Sequence, residues 1–231
     1  MNKVAAVIVA GGSGKRMGGT IKKQYILLEN KEVLAHTIEV FEQFNKIDEI
    51  ILVVGQDDIT KVEQDIIQKY HFKKVKQVVA GGAERQDSVY NGLCATSKEI
   101  EYVMIHDGAR PFIKEEILEH ALEATIKKKA TVVAVPVKDT IKIVSKDTLE
   151  VEETPKREKL WSVQTPQSFE KELLMEAYDF AKREKLAVTD DSMIMEAYGK
   201  KVYVVMGDYT NIKITTPEDL ILGESILKQK R

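Results

Sequence analysis

Residues 10–24 read AGGSGKRMGGTIKKQ and directly follow the apolar run Val4–Val9. This loop combines two ways of holding phosphate. Backbone N–H groups between Gly11 and Gly14 can line a concave anion site. Arg16 offers a rigid fork for two oxygens, and Lys23 offers a mobile point charge. The set suits a triphosphate undergoing displacement, because negative charge grows on the phosphoryl oxygens in the transition state. A generic Gly-Lys loop is as often a solvated basic turn. Here Lys15, Arg16, Lys22 and Lys23 share one loop with its glycines after a buried strand, and that density favours the anion site.

Spacing tests two familiar phosphate loops. A Walker loop needs Gly, four residues, then Gly-Lys-Ser/Thr. Gly14-Lys15 is followed by Arg16, and Val9 stands where the first glycine belongs, so the hydroxyl that would hold Mg²⁺ is missing. A dinucleotide fingerprint starting at Gly12 and Gly14 needs its third glycine at position 17, which is Met17; Gly18 is one residue late.

Two further stretches carry chemistry. GGAERQDSV (81–89) follows a strand and enters a helix from Ser88, and HDGARPF (106–112) ends another strand. Asp107 is the best candidate to hold Mg²⁺ or ribose hydroxyls, since Mg²⁺ takes only one or two carboxylates from a protein. Arg110 organises that loop by pairing with a carboxylate. Arg85 either serves a ligand pocket or braces its loop. His106 reads as a half-buried, hydrogen-bonded ring. His36, His71 and His120 lack metal-ligand spacing. Cys94, the one cysteine, reads as a small buried apolar group.

The elements that must position these residues alternate. Strands are expected at Val4–Val9, Glu49–Val54, 76–79, 102–106, 131–137 and 201–206, mostly apolar at consecutive positions, as in strands covered on both faces. Amphipathic stretches at 32–44, 59–70 and 115–128 lie between them. The expected fold is α/β: a Rossmann-like, mostly parallel sheet flanked by helices, with ligands at the carboxyl ends of the strands. Helix starts are expected at Thr189 or Asp190, and at Thr216-Pro217, with Gly199 as a terminator.

One segment, 137–169, breaks the alternation. Ile141, Ile143, Leu149 and Val151 alternate with polar residues around a turn near Lys146-Asp147. That is a two-stranded ribbon, marginal alone in water, so it must pack on something. We expect a single domain over residues 1–231 with a β-arm at about 138–160.

Composition excludes other classes. The chain has 231 residues, 43% hydrophobic, with 35 basic and 37 acidic side chains and a net charge of −2. Binding to nucleic acid or to a membrane would need a large basic excess, so neither is expected. The N-terminal apolar run is too short for a membrane span. A lone cysteine fits a reducing compartment, and a cytoplasmic location is expected.

AGGSGKRMG…KKQY, AGGAERQDSVYNGL, HDGARPF, PVKDTIK, LWSVQTPQSF, VTDDSMIME and NIKITTPEDL, in this order, resemble the 2-C-methyl-D-erythritol 4-phosphate cytidylyltransferases over nearly the whole chain. The resemblance implies transfer of CMP from CTP to a polyol phosphate with Mg²⁺. It implies Arg16 and Lys23 as the catalytic pair. For CTP it implies contacts from Ala10, Gly11, Gly12, Gly14, Gly82, Ser88, Asp107 and Ala109. For the acceptor it implies Thr140, Arg157, Thr165, Thr189 and Lys213. Thr140 and Arg157 would reach across a homodimer whose arms are exchanged. The same chemistry on ribitol 5-phosphate is the near alternative. A nucleotide-binding dehydrogenase would need the missing glycine and an acid such as Asp57 or Asp58 for ribose. A non-catalytic nucleotide sensor would have no reason to keep Arg16, Lys23, Arg157 and Lys213 together.

Overall fold

The computed structural model describes residues 2–12 and 22–229, so the expectations placed on Gly14 and Arg16 lie outside the described residues. The chain opens with β1 (Val4–Val9), the small pair β2 (Leu27–Leu28) and β3 (Lys31–Glu32), and helix α1 (Val33–Gln43). Then come β4 (Glu49–Val54), α2 (Ile59–Val62, continued by a π turn over Glu63–Gln68), β5 (Val75–Ala80), α3 (Arg85–Cys94) and β6 (Tyr102–Asp107). The second half runs α4 (Glu115–Lys128), β7 (Ala130–Pro136), β8 (Ile143–Val144), β9 (Val151–Glu153), β10 (Trp161–Glu170), α5 (Lys171–Arg183), α6 (Asp191–Ala197), β11 (Tyr203–Met206) and α7 (Pro217–Gln229).

Seven strands form one sheet in the order β11-β7-β10-β6-β1-β4-β5. All neighbours are parallel except β10, which runs antiparallel to both β6 and β7. Strand β1 shows why a central strand reads apolar at every position. Val4, Ala6 and Ile8 pack with Leu34, Ile38 and Phe41 of α1 and Leu118 of α4. Ala5 and Val7 pack on the other face with Val89 and Leu93 of α3 and Leu174 of α5. Side chains alternate across a strand, so two covered faces leave no polar position. Each large apolar side chain so buried contributes about 1.5–3 kcal/mol.

Helix α3 sits unusually close to the sheet. A methyl group at Gly92 would come 2.5 Å from Val7 Cγ1 and 2.8 Å from Val53 Cγ2. That approach fixes the height of the helix start, where Arg85 and Ser88 lie. A reciprocal capping box between Glu84 and Asp87 sets the start itself. Asp190, not Thr189, caps α6 by accepting from Met193 N at 3.0 Å. Gly199 (φ +77) ends that helix, as its left-handed tolerance predicts. Asp219 accepts from the backbone N–H groups of Thr215 and Thr216 ahead of α7.

Several expectations are corrected. Strands expected at 76–79, 131–137 and 201–206 occupy Val75–Ala80, Ala130–Pro136 and Tyr203–Met206. Helix α3 starts at Arg85 rather than Ser88. The ribbon consists of β8 and β9 alone. The rest of the segment, Trp161–Glu170, crosses the middle of the main sheet. Its buried residues include Gln164, Thr165, Gln167 and Ser168, so it carries no apolar run to announce a core strand. Cys94 is exposed, because the buried stripe of α3 passes through Ser88, Val89, Gly92 and Leu93 instead.

Candidate active site

At the carboxyl ends of β1, β5 and β6 lies a cavity of about 460 Å³. Ala10, Gly11, Gly12, Lys23, Gly82, Ser88, Asp107, Ala109 and Lys213 all line it, together with Gln24, Arg85 and others. Residues spread over two hundred positions thus converge because the parallel strands β6, β1, β4 and β5 end at one edge.

The two glycine segments are held by the sheet. Ala10 N donates to Val53 O at 2.7 Å and Gly81 N to Val54 O at 2.7 Å. Gly82 N donates to Ser88 Oγ at 3.1 Å, and that hydroxyl donates to Glu84 O at 3.1 Å. Ser88 therefore shapes the loop with its proton committed and one lone pair to spare. The turn after the first loop is anchored too. Lys22 Nζ lies 2.6 Å from Asp58 Oδ2. Gln24 Nε2 donates to Ala10 O at 2.7 Å and to Gly12 O at 3.3 Å. Spacing gave no signal for Gln24, since an amide bonded to backbone carbonyls leaves no sequence periodicity.

Asp107 is the electrostatic centre. Its Oδ2 lies 2.8 Å from Lys213 Nζ and 3.3 Å from Arg110 Nε, and its Oδ1 lies 3.8 Å from Arg85 Nε. Burial opposes its charge, but Lys213, Arg85 and Arg110 outweigh that and hold the carboxyl well below the usual range. Arg110 thus braces the loop as expected, and it also donates to Asn211 O at 2.9 Å. Arg85 does two things at once: it lines the cavity and bonds Asp191 Oδ2 at 2.8 Å. Asp191 in turn accepts from the Tyr178 hydroxyl at 2.7 Å.

His106 is fully buried rather than half-buried. Burial lowers its pKa to about 4, so it is neutral at pH 7. Its Nε2 lies 3.0 Å from Arg110 O, which can only accept, so Nε2 carries the proton. Its Nδ1 then accepts from Thr165 Oγ1 at 2.9 Å, and the same hydroxyl accepts from Asp107 N at 3.1 Å. Thr165 thereby supports Asp107 from behind, buried and away from the cavity wall.

The remaining acceptor candidates stand apart. Thr140 and Arg157 are exposed on the arm, and Arg157 Nη1 donates to Lys138 O at 3.1 Å. Arg157 borders a second, open depression with Pro136, Val137, Lys156 and Glu158. Thr189 is exposed and donates to Met193 Sδ at 3.0 Å. Among the described residues no group of three or more His, Cys, Asp or Glu could hold a metal by itself. A cation shared between one carboxylate, waters and bound phosphates is compatible with Asp107, whose Oδ1 lies 3.8 Å from Arg85 Nε. No helix among the described residues is long and apolar enough to cross a membrane.

The comparisons with known proteins agree with one another. The family model described as 2-C-methyl-D-erythritol 4-phosphate cytidylyltransferase matches residues 4–229. A protein of that name from Alkaliphilus oremlandii is 52% identical over 231 residues, covering 100% of this chain and 98% of its own. One from Clostridioides difficile is 49% identical, covering 98% and 94%. Among solved structures, the 4-diphosphocytidyl-2C-methyl-D-erythritol synthase of Anaerococcus prevotii is similar with a TM-score of 0.87 at 37% identity, covering 98% of this chain and 96% of that one. The cytidylyltransferase of Thermus thermophilus is similar with a TM-score of 0.77 at 30% identity, covering 98% and 99%.

Proposed function

The chain belongs to the 2-C-methyl-D-erythritol 4-phosphate cytidylyltransferase family, and on that premise we propose how its site performs the reaction. The enzyme transfers CMP from CTP to 2-C-methyl-D-erythritol 4-phosphate, releasing pyrophosphate and 4-diphosphocytidyl-2-C-methyl-D-erythritol. The match over residues 4–229 sets aside the ribitol phosphate, dehydrogenase and sensor alternatives.

An oxygen of the acceptor phosphate attacks the α-phosphorus of CTP in line, a new P–O bond forms, and the bond to the β-phosphate oxygen breaks. The acceptor is already an anion at neutral pH, so no protein nucleophile and no protein base are needed. The obstacle is repulsion between two polyanions. Lys23 and Arg16 are assigned to the charge that develops around the α-phosphate. Gly11, Gly12 and Gly14 cradle the triphosphate with backbone N–H groups. The loop at Gly82 and Ser88 reads the cytosine, and Asp107 with Ala109 faces the ribose and phosphates. Asp107 would hold Mg²⁺, which would supply positive charge against that of the phosphates. Lys213 takes the acceptor phosphate, with Thr165 acting from behind the wall through Asp107 and Thr189 serving only if the acceptor extends beyond the cavity.

Thr140 and Arg157 complete the acceptor site from the arm of a second copy, in a homodimer with exchanged arms. The exposure of Ile143, Val144, Val151 and Leu149 (75% for Leu149) supports a covering partner for the ribbon. The whole chain then serves as one nucleotidyltransferase domain, and the unpaired Cys94 suits the cytoplasm.

The single observation that carries this reading is the convergence of Gly11, Gly12, Lys23, Gly82, Asp107 and Lys213 on one cavity. Pyrophosphate release on mixing enzyme, CTP, Mg²⁺ and 2-C-methyl-D-erythritol 4-phosphate tests it. No release with that acceptor, at any metal concentration, would refute it.

A further inference from the structure

Gln24 is a side chain that the reaction as described does not use, yet it is 1% exposed on the cavity wall. Both protons of its carboxamide are spent on the glycine loop, at Ala10 O and Gly12 O. Its Oε1 is buried with no hydrogen-bond partner among the described residues. A residue placed only to fill space would be better apolar, because a buried amide oxygen left unpaired is unfavourable. The two donors are therefore what the position selects for.

Their effect follows from peptide geometry. In a trans peptide the C=O and the next N–H point in opposite directions. Holding Ala10 O against Gln24 turns the Gly11 N–H away from it. Carbonyl oxygens free to swing toward a triphosphate would repel it, whereas pinned carbonyls keep the donor edge available. The same bonds also fix Lys23, the residue before Gln24. Its other neighbour, Lys22, is tied to Asp58 at 2.6 Å, and Tyr25 N closes the turn on Lys22 O at 2.9 Å. The backbone that carries Lys23 is thus anchored on both sides.

We propose that Gln24 is a positioning residue for nucleotidyl transfer: its carboxamide locks the glycine loop to the turn bearing Lys23, so that the triphosphate meets N–H groups and ammonium in one fixed arrangement. The inference rests on the reading that the CTP triphosphate docks at this loop.

Gln24→Glu keeps the shape and the acceptor but removes both donors. Gln24→Met removes donors and acceptor. We expect Gln24→Glu at pH 8 to lose on the order of tenfold to a hundredfold in kcat, the range typical of groups that orient a catalytic residue. By calorimetry, CTP should bind about tenfold more weakly, while CMP, which lacks the β- and γ-phosphates, stays within about threefold. The acceptor KM should not move. As pH falls from 8 to 6, the Gln24→Glu deficit relative to wild type should shrink, because a protonated carboxyl returns one donor to Ala10 O. Folded Gln24→Met should show the same CTP-selective loss without the pH recovery.

A folded Gln24→Glu or Gln24→Met enzyme with wild-type kcat and CTP affinity overturns the proposal. Equal losses for CTP and CMP with no pH recovery also overturn it, since that is the mark of simple mispacking. Should Gln24→Glu fail to fold, Gln24→Met decides by the same two affinities. Lys23→Ala run in parallel separates the two ideas: a dead Lys23→Ala beside a normal Gln24 variant sinks only the inference, and normal turnover in both sinks the underlying reading.

Discussion

Lys213 Nζ and Asp107 Oδ2 lie 2.8 Å apart, joining the end of β6 to the segment that leads into α7. The acid at the nucleotide end of the cavity and the cation assigned to the acceptor are therefore one electrostatic unit, with Arg110 and Arg85 on its flanks. Asp107→Asn removes the only negative member. CTP without metal should then bind more tightly, because repulsion is lost, while Mg²⁺-dependent turnover should fall by on the order of a hundredfold. Loss of the carboxylate that Lys213 and Arg110 share should also destabilise the fold by about 3 kcal/mol in urea unfolding, while Arg85 keeps Asp191. Unchanged metal-free CTP affinity would show that Asp107 does not face the phosphates.

Lys23→Ala should cut kcat by on the order of a hundredfold or more, as loss of one preorganised donor to a transition state does. Arg16→Ala should behave alike. Thermal unfolding of both should stay close to wild type, because each change removes a charged side chain from a polar, glycine-rich stretch of sequence. Near-normal turnover in either would remove it from the catalytic pair.

The arm makes a quantitative prediction. If Arg157 serves the partner's site, Arg157→Ala should raise the acceptor KM and leave the CTP KM alone. Co-refolding Arg157→Ala with Lys23→Ala chains should restore about a quarter of wild-type activity: half the dimers are mixed, and each mixed dimer has one undamaged site. Absence of any recovery in demonstrably mixed dimers would rule out arm exchange.

His106 links stability to pH. Its pKa is about 4 in the fold, against an ordinary 6.5, because burial disfavours the imidazolium. Between those values the unfolded chain binds a proton that the folded chain refuses, so stability falls on acidification. The loss should be about 2 kcal/mol between pH 7 and pH 5. Below that window Asp107, whose pKa is depressed, adds a second loss as it becomes protonated. His106→Gln should abolish the upper part of this dependence; urea unfolding at several pH values reads it directly, and an identical slope in the variant would contradict the assignment.

The sequence made the cavity legible where chemistry and backbone coincide. Gly11 and Gly12 follow a strand that reads apolar throughout, and Gly82 and Asp107 stand at the ends of largely apolar strands, so both their identity and their address were visible. What stayed hidden depends on contacts far apart in sequence. Gln164, Thr165 and Gln167 are buried in β10 because their polar groups find tertiary partners, which erases the hydrophobic signature of a core strand. Gln24 was invisible for the same reason: its partners, Ala10 O and Gly12 O, are backbone atoms that no residue type reveals. Cys94 was misread because composition favours burial, while the helical register turns that position outward.

The ribbon leaves the sheet at Pro136 and comes back at Trp161, and these two residues are paired partners across β7 and β10, with Val137 N bonded to Leu160 O at 3.0 Å just beyond. An appendage with its two roots side by side is topologically a long hairpin loop. It can be lengthened, shortened or replaced by a tight turn without re-threading any strand, so the appendage and the nucleotide pocket are free to evolve on separate schedules.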